Sequence, residues 1–156
     1  MGGKPFPDVD PKRRRLMGRI GRENTAPEIV VRRAMQRAGL RFRLHRHELP
    51  GSPDIVLPGR RVAVFVHGCF WHGHDCRAGR VPKTRTEYWK AKFARNAERD
   101  AQVKSALQAD GWTVVVIWEC QVKRPDELGR IVAEIAALPV HRRSGKKYKS
   151  LGLASA

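Results

Sequence analysis

Histidine and cysteine are concentrated in one short segment of this 156-residue sequence. Cys69, His74 and Cys76 fall within eight residues, and the remaining cysteine is Cys120. Thiolate and imidazole are the ligands that Zn²⁺ prefers in closed, tetrahedral sites. The set therefore predicts a structural zinc that fastens the segment to the region around Cys120. In the alternative interpretation Cys69 and Cys120 are small buried hydrophobic side chains and Cys76 is a bystander.

Two further histidines of the same segment, His67 and His72, are left over for chemistry. An imidazole that titrates near neutral pH can take a proton from water or give one to a leaving oxygen. Asp54, at the start of a neighbouring predicted strand, can hold Mg²⁺ against a phosphate. Glu28 could support the water shell of that ion, or simply interact with a helix dipole. Together these groups predict a phosphodiesterase site, although each histidine alone is more typical of a polar surface residue.

Phe70 and Trp71 stand between the two spare histidines in an otherwise polar loop. Large apolar side chains can be inserted at a base step, and the cost of unstacking is lowest at a mismatch. We therefore expect an intercalating wedge, with Met17 as a candidate for insertion from the opposite groove. The competing interpretations are that one of the aromatic residues caps the core and that Met17 fills a gap.

Basic residues dominate the charge of the chain. Lys and Arg number 32 against 15 Asp and Glu, which gives a net charge of +17 and a pI near 11.0. A polyanionic partner follows, and without a long apolar run or signal-peptide core we expect nucleic acid rather than a membrane. Arg13, Arg14 and Arg15 lie in a segment expected to anchor DNA electrostatically. Three cysteines and no export signal predict a cytoplasmic protein.

Hydrophobic periodicity indicates the elements that must position these residues. A helix is predicted from Thr25 to Gly39, with Ile29, Val30, Met35 and Ala38 as its apolar stripe. The later predicted elements are three strands, a long helix, a strand and a last helix: 40–44, 54–57, 62–66, 87–109, 112–118 and 125–137. The helix crossover implies parallel pairing of the last two strands. We expect an α/β sandwich with a small mixed sheet over residues 25–140, between a basic arm, 1–24, and a basic tail, 141–156.

Two segments, 49–54 and 66–76, are closely similar to the hallmark segments of the very-short-patch-repair (Vsr) endonucleases. These are Leu-Pro-Gly-Ser-Pro-Asp and Val-His-Gly-Cys-Phe-Trp-His-Gly-His-Asp-Cys. The similarity continues through 81–89, Asn96, 98–100 and 111–112 to 118–120, and covers roughly residues 12–137.

This resemblance implies a restriction-endonuclease-like fold of the PD-(D/E)XK type, in which Asp54 and the backbone carbonyl of Val66 bind catalytic Mg²⁺. It also implies that His72 activates water, with His67 assisting at the phosphate. The implied zinc ligands are Cys69, His74, Cys76 and Cys120, and the implied intercalating residues are Phe70, Trp71 and Met17.

The function implied by the resemblance is nicking of duplex DNA 5′ of the T in a T:G mismatch, which starts very short patch repair. We expect a monomer that acts on nucleoid DNA in a bacterial cytoplasm, with repair proteins as further partners. The second carboxylate and the lysine usual in this nuclease fold would fall near Phe65 and His67, and the Vsr family departs in the same way. This chain also has Val66 where the family often has threonine, and Gly73 where some members have histidine.

Two alternatives remain open from the sequence. A related restriction or homing nuclease would keep the chemistry and change only the DNA target. A non-enzymatic, zinc-stabilised DNA-binding module would share the charge, the cysteines and the aromatic residues. Such a module would have no use for Asp54 and two spare histidines at strand ends.

Overall fold

The computed structural model describes residues 23–141 of the chain. The predicted DNA-contacting residues Arg13, Arg14, Arg15 and Met17 lie outside this range, as do residues 142–156 of the predicted tail. Within residues 23–141, no helix combines the length and the apolar character needed to cross a membrane.

Over residues 23–141, four α-helices and four strands follow one another in the order that the sequence predicts, apart from one added helical turn. The helices are α1 (Ala26–Arg37), α2 (Thr86–Ala109), α3 (Glu119–Val122) and α4 (Pro125–Ala137). The strands are β1 (Arg43–Leu44), β2 (Ile55–Leu57), β3 (Val62–His67) and β4 (Thr113–Trp118). The unpredicted element is α3, which follows β4 directly and carries Cys120.

The strands form one mixed sheet in the spatial order β1-β2-β3-β4. β1 and β3 both pair antiparallel with β2, whereas β4 runs parallel to β3 after the α2 crossover. The register pairs Val66 with Ile117 and His67 with Trp118. The predicted parallel pairing is therefore confirmed, and the carboxyl ends of β3 and β4 lie side by side.

Helices cover both faces of the sheet because side chains alternate along β3. Val62 and Val64 pack with α1 and α4 in the larger core cluster, whereas Ala63 and Phe65 pack with Leu107 of α2 in the smaller one. The continuous apolar run of β3, rich in β-branched residues, thus belongs to a central strand that is covered on both faces. Helices on both faces of a mixed sheet also confirm the predicted α/β class.

Two details at the start of the domain differ from the prediction. The strand predicted over 40–44 is reduced to β1, an exposed edge pair. The chain leaves the sheet at His45, whose φ of 45° is incompatible with an extended strand. The buried apolar residues of α1 are Val31 and Met35. Val30, which is 39% exposed, and Ala38, which is exposed beyond the end of the helix, were both predicted to be part of this stripe.

Candidate active site and metal centre

The loop that follows β3 is shaped by two glycines. Gly73 has a φ of 58°, and a Cβ on it would lie 3.2 Å from the ring of Phe93. A Cβ on Gly79 would lie 1.9 Å from the carbonyl oxygen of His74, which no side chain could accommodate. The loop therefore packs closely against α2 at Gly73 and approaches its own backbone at Gly79 so closely that only glycine fits there.

Asp54 lies immediately before β2 and faces the end of β3. Its Oδ2 accepts a hydrogen bond from the backbone N–H of Val66 at 2.7 Å. Burial raises the pKa of Asp54 to about 6, and the charge of Glu28 adds to the rise, whereas the Val66 hydrogen bond opposes it. The structure therefore places Asp54 against the backbone of Val66, through the Val66 N–H and not through the carbonyl that the resemblance implies as a Mg²⁺ ligand.

Glu28 is buried, with 2% of its surface exposed. Its carboxylate accepts hydrogen bonds from the Asn24 N–H and the Thr25 hydroxyl, each at 2.9 Å, and from Arg32 at 3.0 Å. Glu28, His45 and Asp54 each present a ligand atom, and these atoms all lie within 4.8 Å of one another. Glu28 thus tethers the first turn of α1 and also lies beside Asp54, so both roles considered for it are compatible with its position.

His67 and His72 form a stacked pair at the end of β3. Their ring centroids are 3.8 Å apart with an interplanar angle of 6°. His72 Nδ1 lies 2.6 Å from Asp100 Oδ2 on α2, whereas His67 Nδ1 lies 4.0 Å from the same oxygen. Burial and the adjacent His72 lower the pKa of His67 to about 4, against the attraction of Asp100. His67 is therefore neutral near pH 7, and Asp100 orients the His72 ring.

A cavity of about 400 Å³ opens between α2 and the sheet beside these histidines. His67, His72 and Asp100 line one side, and Lys104 and apolar residues of β3 and β4 line the rest. Space next to the paired imidazoles allows a water molecule or a phosphate oxygen to approach them.

The three cysteines and His74 form a second cluster on the other side of the loop. The ligand atoms of Cys69, His74, Cys76 and Cys120 all lie within 4.8 Å of one another. The Cys120 N–H donates to Cys69 Sγ at 3.4 Å, and Cys120 Sγ lies 3.6 Å from His74 Nδ1. Burial raises the pKa of Cys69 to about 12, whereas the hydrogen bond with His74 lowers that of Cys76 to about 7.

This donor set fits Zn²⁺. One imidazole nitrogen and three thiolates form a closed tetrahedral zinc shell, and the four atoms already converge. The His74 ring stacks on Trp118 with centroids 4.1 Å apart and an interplanar angle of 17°, which fixes its direction. The predicted cluster is therefore assembled by the fold, and a metal there would join the loop to α3.

Phe70 and Trp71 are half-buried and lie against the first half of α2. The Phe70 ring centroid is 5.0 Å from that of Trp89 and 5.7 Å from that of Phe93. Lys92 Nζ lies 5.1 Å from the centroid of Trp71 and 5.3 Å from that of Trp89. The pair thus forms the rim of an aromatic cluster with a cation above it, a surface on which bases can stack.

Four residues of these clusters received no role from the sequence: Asp100, Asn96, Arg32 and His45. Asp100 and Asn96 had a usable signal, because they lie four residues apart on the long predicted helix and so share one face, which contacts the loop. Asn96 Nδ2 donates to the carbonyl of Trp71 at 2.7 Å. Arg32, four residues after Glu28, had the same kind of signal. His45 had none, since its place beside Asp54 depends on the turn after β1.

Comparison with known proteins adds an independent line of support. The family model "DNA mismatch endonuclease Vsr" matches residues 8–78. The chain is 49% identical over 128 residues to the type II nicking enzyme V.XorIIP of Xanthomonas oryzae pv. oryzae, covering 81% of this chain and 92% of that protein. It is 41% identical over 116 residues to the DNA mismatch endonuclease Vsr of Escherichia coli K12, covering 74% of each. For the type II nicking enzyme V.NmeAIP of Neisseria meningitidis, identity is 40% over 128 residues, covering 80% and 91%.

The matches to these relatives cover about three quarters or more of the chain. The sequence identity, over four-fifths of the chain, and the geometry of the two clusters are separate observations. Both indicate a Vsr endonuclease. The chain therefore belongs to the Vsr family of DNA mismatch endonucleases.

Proposed function

We propose that this chain is a Mg²⁺-dependent endonuclease that nicks one strand of duplex DNA 5′ of the T in a T:G mismatch and so starts very short patch repair. As a member of the Vsr family it is a DNA endonuclease. The observation that carries the proposal is the His72–Asp100 pair, 2.6 Å apart, at the same end of β3 as the Asp54–Val66 contact. A base and a metal-binding carboxylate on either side of one strand end suit phosphodiester hydrolysis.

Asp54 and Val66 are the proposed magnesium ligands. In an antiparallel ladder the N–H and C=O of one residue point towards the same neighbouring strand, so the Val66 carbonyl is directed to the side where its N–H meets Asp54. Bound Mg²⁺ would polarise the scissile phosphate and stabilise the charge that develops on it. We assign the domain to the restriction-endonuclease-like PD-(D/E)XK fold on the basis of the antiparallel β2–β3 pair that follows Asp54 and the parallel β4.

His72 is the proposed general base. Its Nδ1 faces the Asp100 carboxylate, so a neutral ring donates from Nδ1 and keeps Nε2 free to accept a proton from water. His67, neutral because its pKa is about 4, can donate a hydrogen bond to a phosphate oxygen without adding a full positive charge. Asp100 acts through His72 and is a positioning residue.

Mismatch recognition is assigned to the aromatic rim. Phe70 and Trp71 lie on the loop that leaves the catalytic strand, and the Asn96 hydrogen bond to the Trp71 carbonyl holds that loop against α2. Insertion of these rings at a weakly stacked T:G step would bring the adjacent phosphate to His72 and Asp54. Met17 is assigned to the opposite groove, and Arg13, Arg14 and Arg15 to phosphate contacts.

A structural Zn²⁺ on Cys69, His74, Cys76 and Cys120 completes the proposal. It would fix the loop whose other residues do the chemistry. Residues 25–140 form the proposed endonuclease domain, between a basic arm, 1–24, that anchors DNA and a basic tail, 141–156. We propose that it acts as a monomer on nucleoid DNA in the bacterial cytoplasm, with repair proteins as further partners.

The experiment is strand cleavage on duplexes that carry one T:G pair in varied contexts, with each strand labelled separately, beside matched duplexes. We expect a single cut 5′ of the T that requires Mg²⁺ and is lost in Asp54→Asn. Asp126→Asn is the control, since it removes the same charge from an exposed position in the first turn of α4. Cutting of matched DNA would instead identify a restriction or homing nuclease, and a full rate in Asp54→Asn would refute the mechanism.

A further inference from the structure

A guanidinium group lies among the carboxylates of the proposed metal site. Arg32 Nη2 is 3.0 Å from Glu28 Oε2 and 2.9 Å from His45 Nε2, and Nη1 donates to Asn24 Oδ1 at 2.7 Å. The contacts to Glu28 and His45 lie in the group of three potential ligands that also contains Asp54. One arginine therefore contacts two of the three side chains that could bind a metal there.

This arrangement differs from an ordinary ion pair on a helix surface in its burial and in its contact with a second element. Arg32 and Glu28 are four residues apart on α1, a spacing common for exposed pairs, but their side chains are only 13% and 3% exposed. The contact with His45 spans thirteen residues and comes from the turn after β1. Since a guanidinium group can only donate, His45 Nε2 accepts this hydrogen bond. The lone pair of Nε2 is therefore already directed at the positively charged Arg32.

Glu28 also has little capacity left for a metal ion. Its Oε2 accepts from Arg32 and from the Asn24 N–H, and its Oε1 accepts from the Thr25 hydroxyl. An arginine is protonated at any accessible pH, so the positive charge beside Glu28 is permanent. The positive charge of Arg32 also opposes the rise in the pKa of Asp54.

We infer that Arg32 is a built-in cation that takes the place beside Glu28 where a second divalent ion would otherwise bind. Nuclease sites with two metals hold the ions about 3.5–4 Å apart between shared carboxylates. Here a guanidinium neutralises one of the two carboxylates, so the site binds one divalent ion, at Asp54. The inference rests on the proposed function, in that Asp54 is taken as the magnesium ligand, and it makes Arg32 a positioning residue.

Removing the guanidinium should therefore create a binding site. Without Arg32, the Glu28 carboxylate and His45 Nε2 lose their shared donor beside Asp54. Carboxylate and imidazole together suit Mn²⁺, which accepts both ligand types. A purely structural ion pair would predict the opposite, because its loss would loosen the site and weaken cation binding.

The experiment counts Mn²⁺ ions bound to the zinc-loaded protein without DNA, by the electron paramagnetic resonance signal of free Mn²⁺. We expect one site in the wild type, none in Asp54→Asn and two in Arg32→Ala. Arg32→Gln tests the same loss of charge with a side chain that still hydrogen-bonds, in case the alanine variant does not fold. Arg33→Gln, an exposed neighbour on α1, is the matched control and should bind one ion.

A double variant, Arg32→Ala with Glu28→Gln, should return to one ion because the freed carboxylate is gone. Two ions in the wild type, or an unchanged count and affinity in folded Arg32 variants, would overturn the inference. These outcomes are separate from those of the cleavage assay. A protein that cuts as proposed but gains no site refutes only the role of Arg32, whereas a gained site in a protein that cuts no DNA refutes only the proposed activity.

Discussion

One loop supplies both clusters of this protein, and its residues are divided between them at short intervals. His67 and His72 turn towards Asp100 on α2, whereas Cys69, His74 and Cys76 turn towards Cys120 on α3. Neighbouring histidines two residues apart thus serve different partners. The cysteine cluster joins the loop to the helical turn after β4, and the histidine pair joins it to the crossover helix.

The two clusters differ in what they require from the rest of the chain. The cysteine cluster consists of side chains that need a cation to hold them together in a charged state. The histidine pair is held by stacking, by Trp118 at a centroid distance of 5.3 Å from His67, and by Asp100, all of which are present without any ligand. Loss of the cysteine cluster should therefore affect folding, whereas loss of the histidine pair should affect the rate of DNA cleavage.

The sharpest test of this division is the substitution His74→Ala. It removes one of the four proposed zinc ligands, so we expect loss of bound zinc and a fall in the free energy of unfolding of about 3 kcal/mol or more. Zinc content by mass spectrometry and thermal unfolding measure the effect. His47→Ala is the control, because the His47 side chain is 66% exposed, and it should change neither the zinc content nor the unfolding temperature. If the His74→Ala protein bound zinc and had normal stability, His74 would not be a ligand of a structural zinc.

The substitution two residues earlier, His72→Ala, should have the complementary effect. A general base contributes roughly 10²–10⁴-fold, so single-turnover nicking should slow by that factor. Zinc content should stay at the wild-type level, and DNA binding should persist because the basic surface is unchanged. Nicking at the wild-type rate, or zinc loss equal to that of His74→Ala, would mean that the two histidines do not serve separate clusters.

Much of the fold could be predicted because its signals are local. The continuous β-branched run of β3, the proline at the start of α4 and the glycine after α1 each determine structure within a few residues. The failures have non-local causes. β1 is short because His45 adopts a positive φ, and α1 buries Val31 rather than Val30 because the sheet and α4 determine which side faces inward.

The site was predictable where types and spacing were unusual. Two cysteines and several histidines in one segment, with the third cysteine elsewhere, indicated both clusters, although only the resemblance to a family assigned a role to each residue. The partners that hold these groups were harder to find, because aspartate and arginine are common on helices. Asp100 and Arg32 gain their meaning from contacts across 28 and 13 residues, which depend on packing of the helices against the sheet.

A smaller effect should follow from Asp100→Asn, which keeps the shape of the side chain and removes its charge. The amide can hold His72 in the wrong tautomer, as in serine protease triads, but Asp100 is 28% exposed, so we expect roughly a 10–100-fold slower rate. Because loss of the carboxylate disfavours protonated His72, the pH at which activity falls on the acid side should be lower in the variant. Glu98→Gln, at an exposed position on the same helix, is the control for lost charge. If Asp100→Asn left both the rate and the pH profile unchanged, Asp100 would not position His72.

The smallest expected effect concerns stability and pH at Asp54, and it separates this carboxyl from the zinc ligands. Its pKa is about 6 in the fold against an ordinary value of 3.8, so ionised Asp54 destabilises the fold above pH 6 and the penalty disappears towards pH 4. Asp54→Asn should therefore raise the free energy of unfolding by on the order of 1–2 kcal/mol at pH 7.5 without Mg²⁺, and the gain should vanish near pH 4. Urea unfolding across this range measures it. A gain that is independent of pH would mean that packing, rather than the buried charge, distinguishes the asparagine variant.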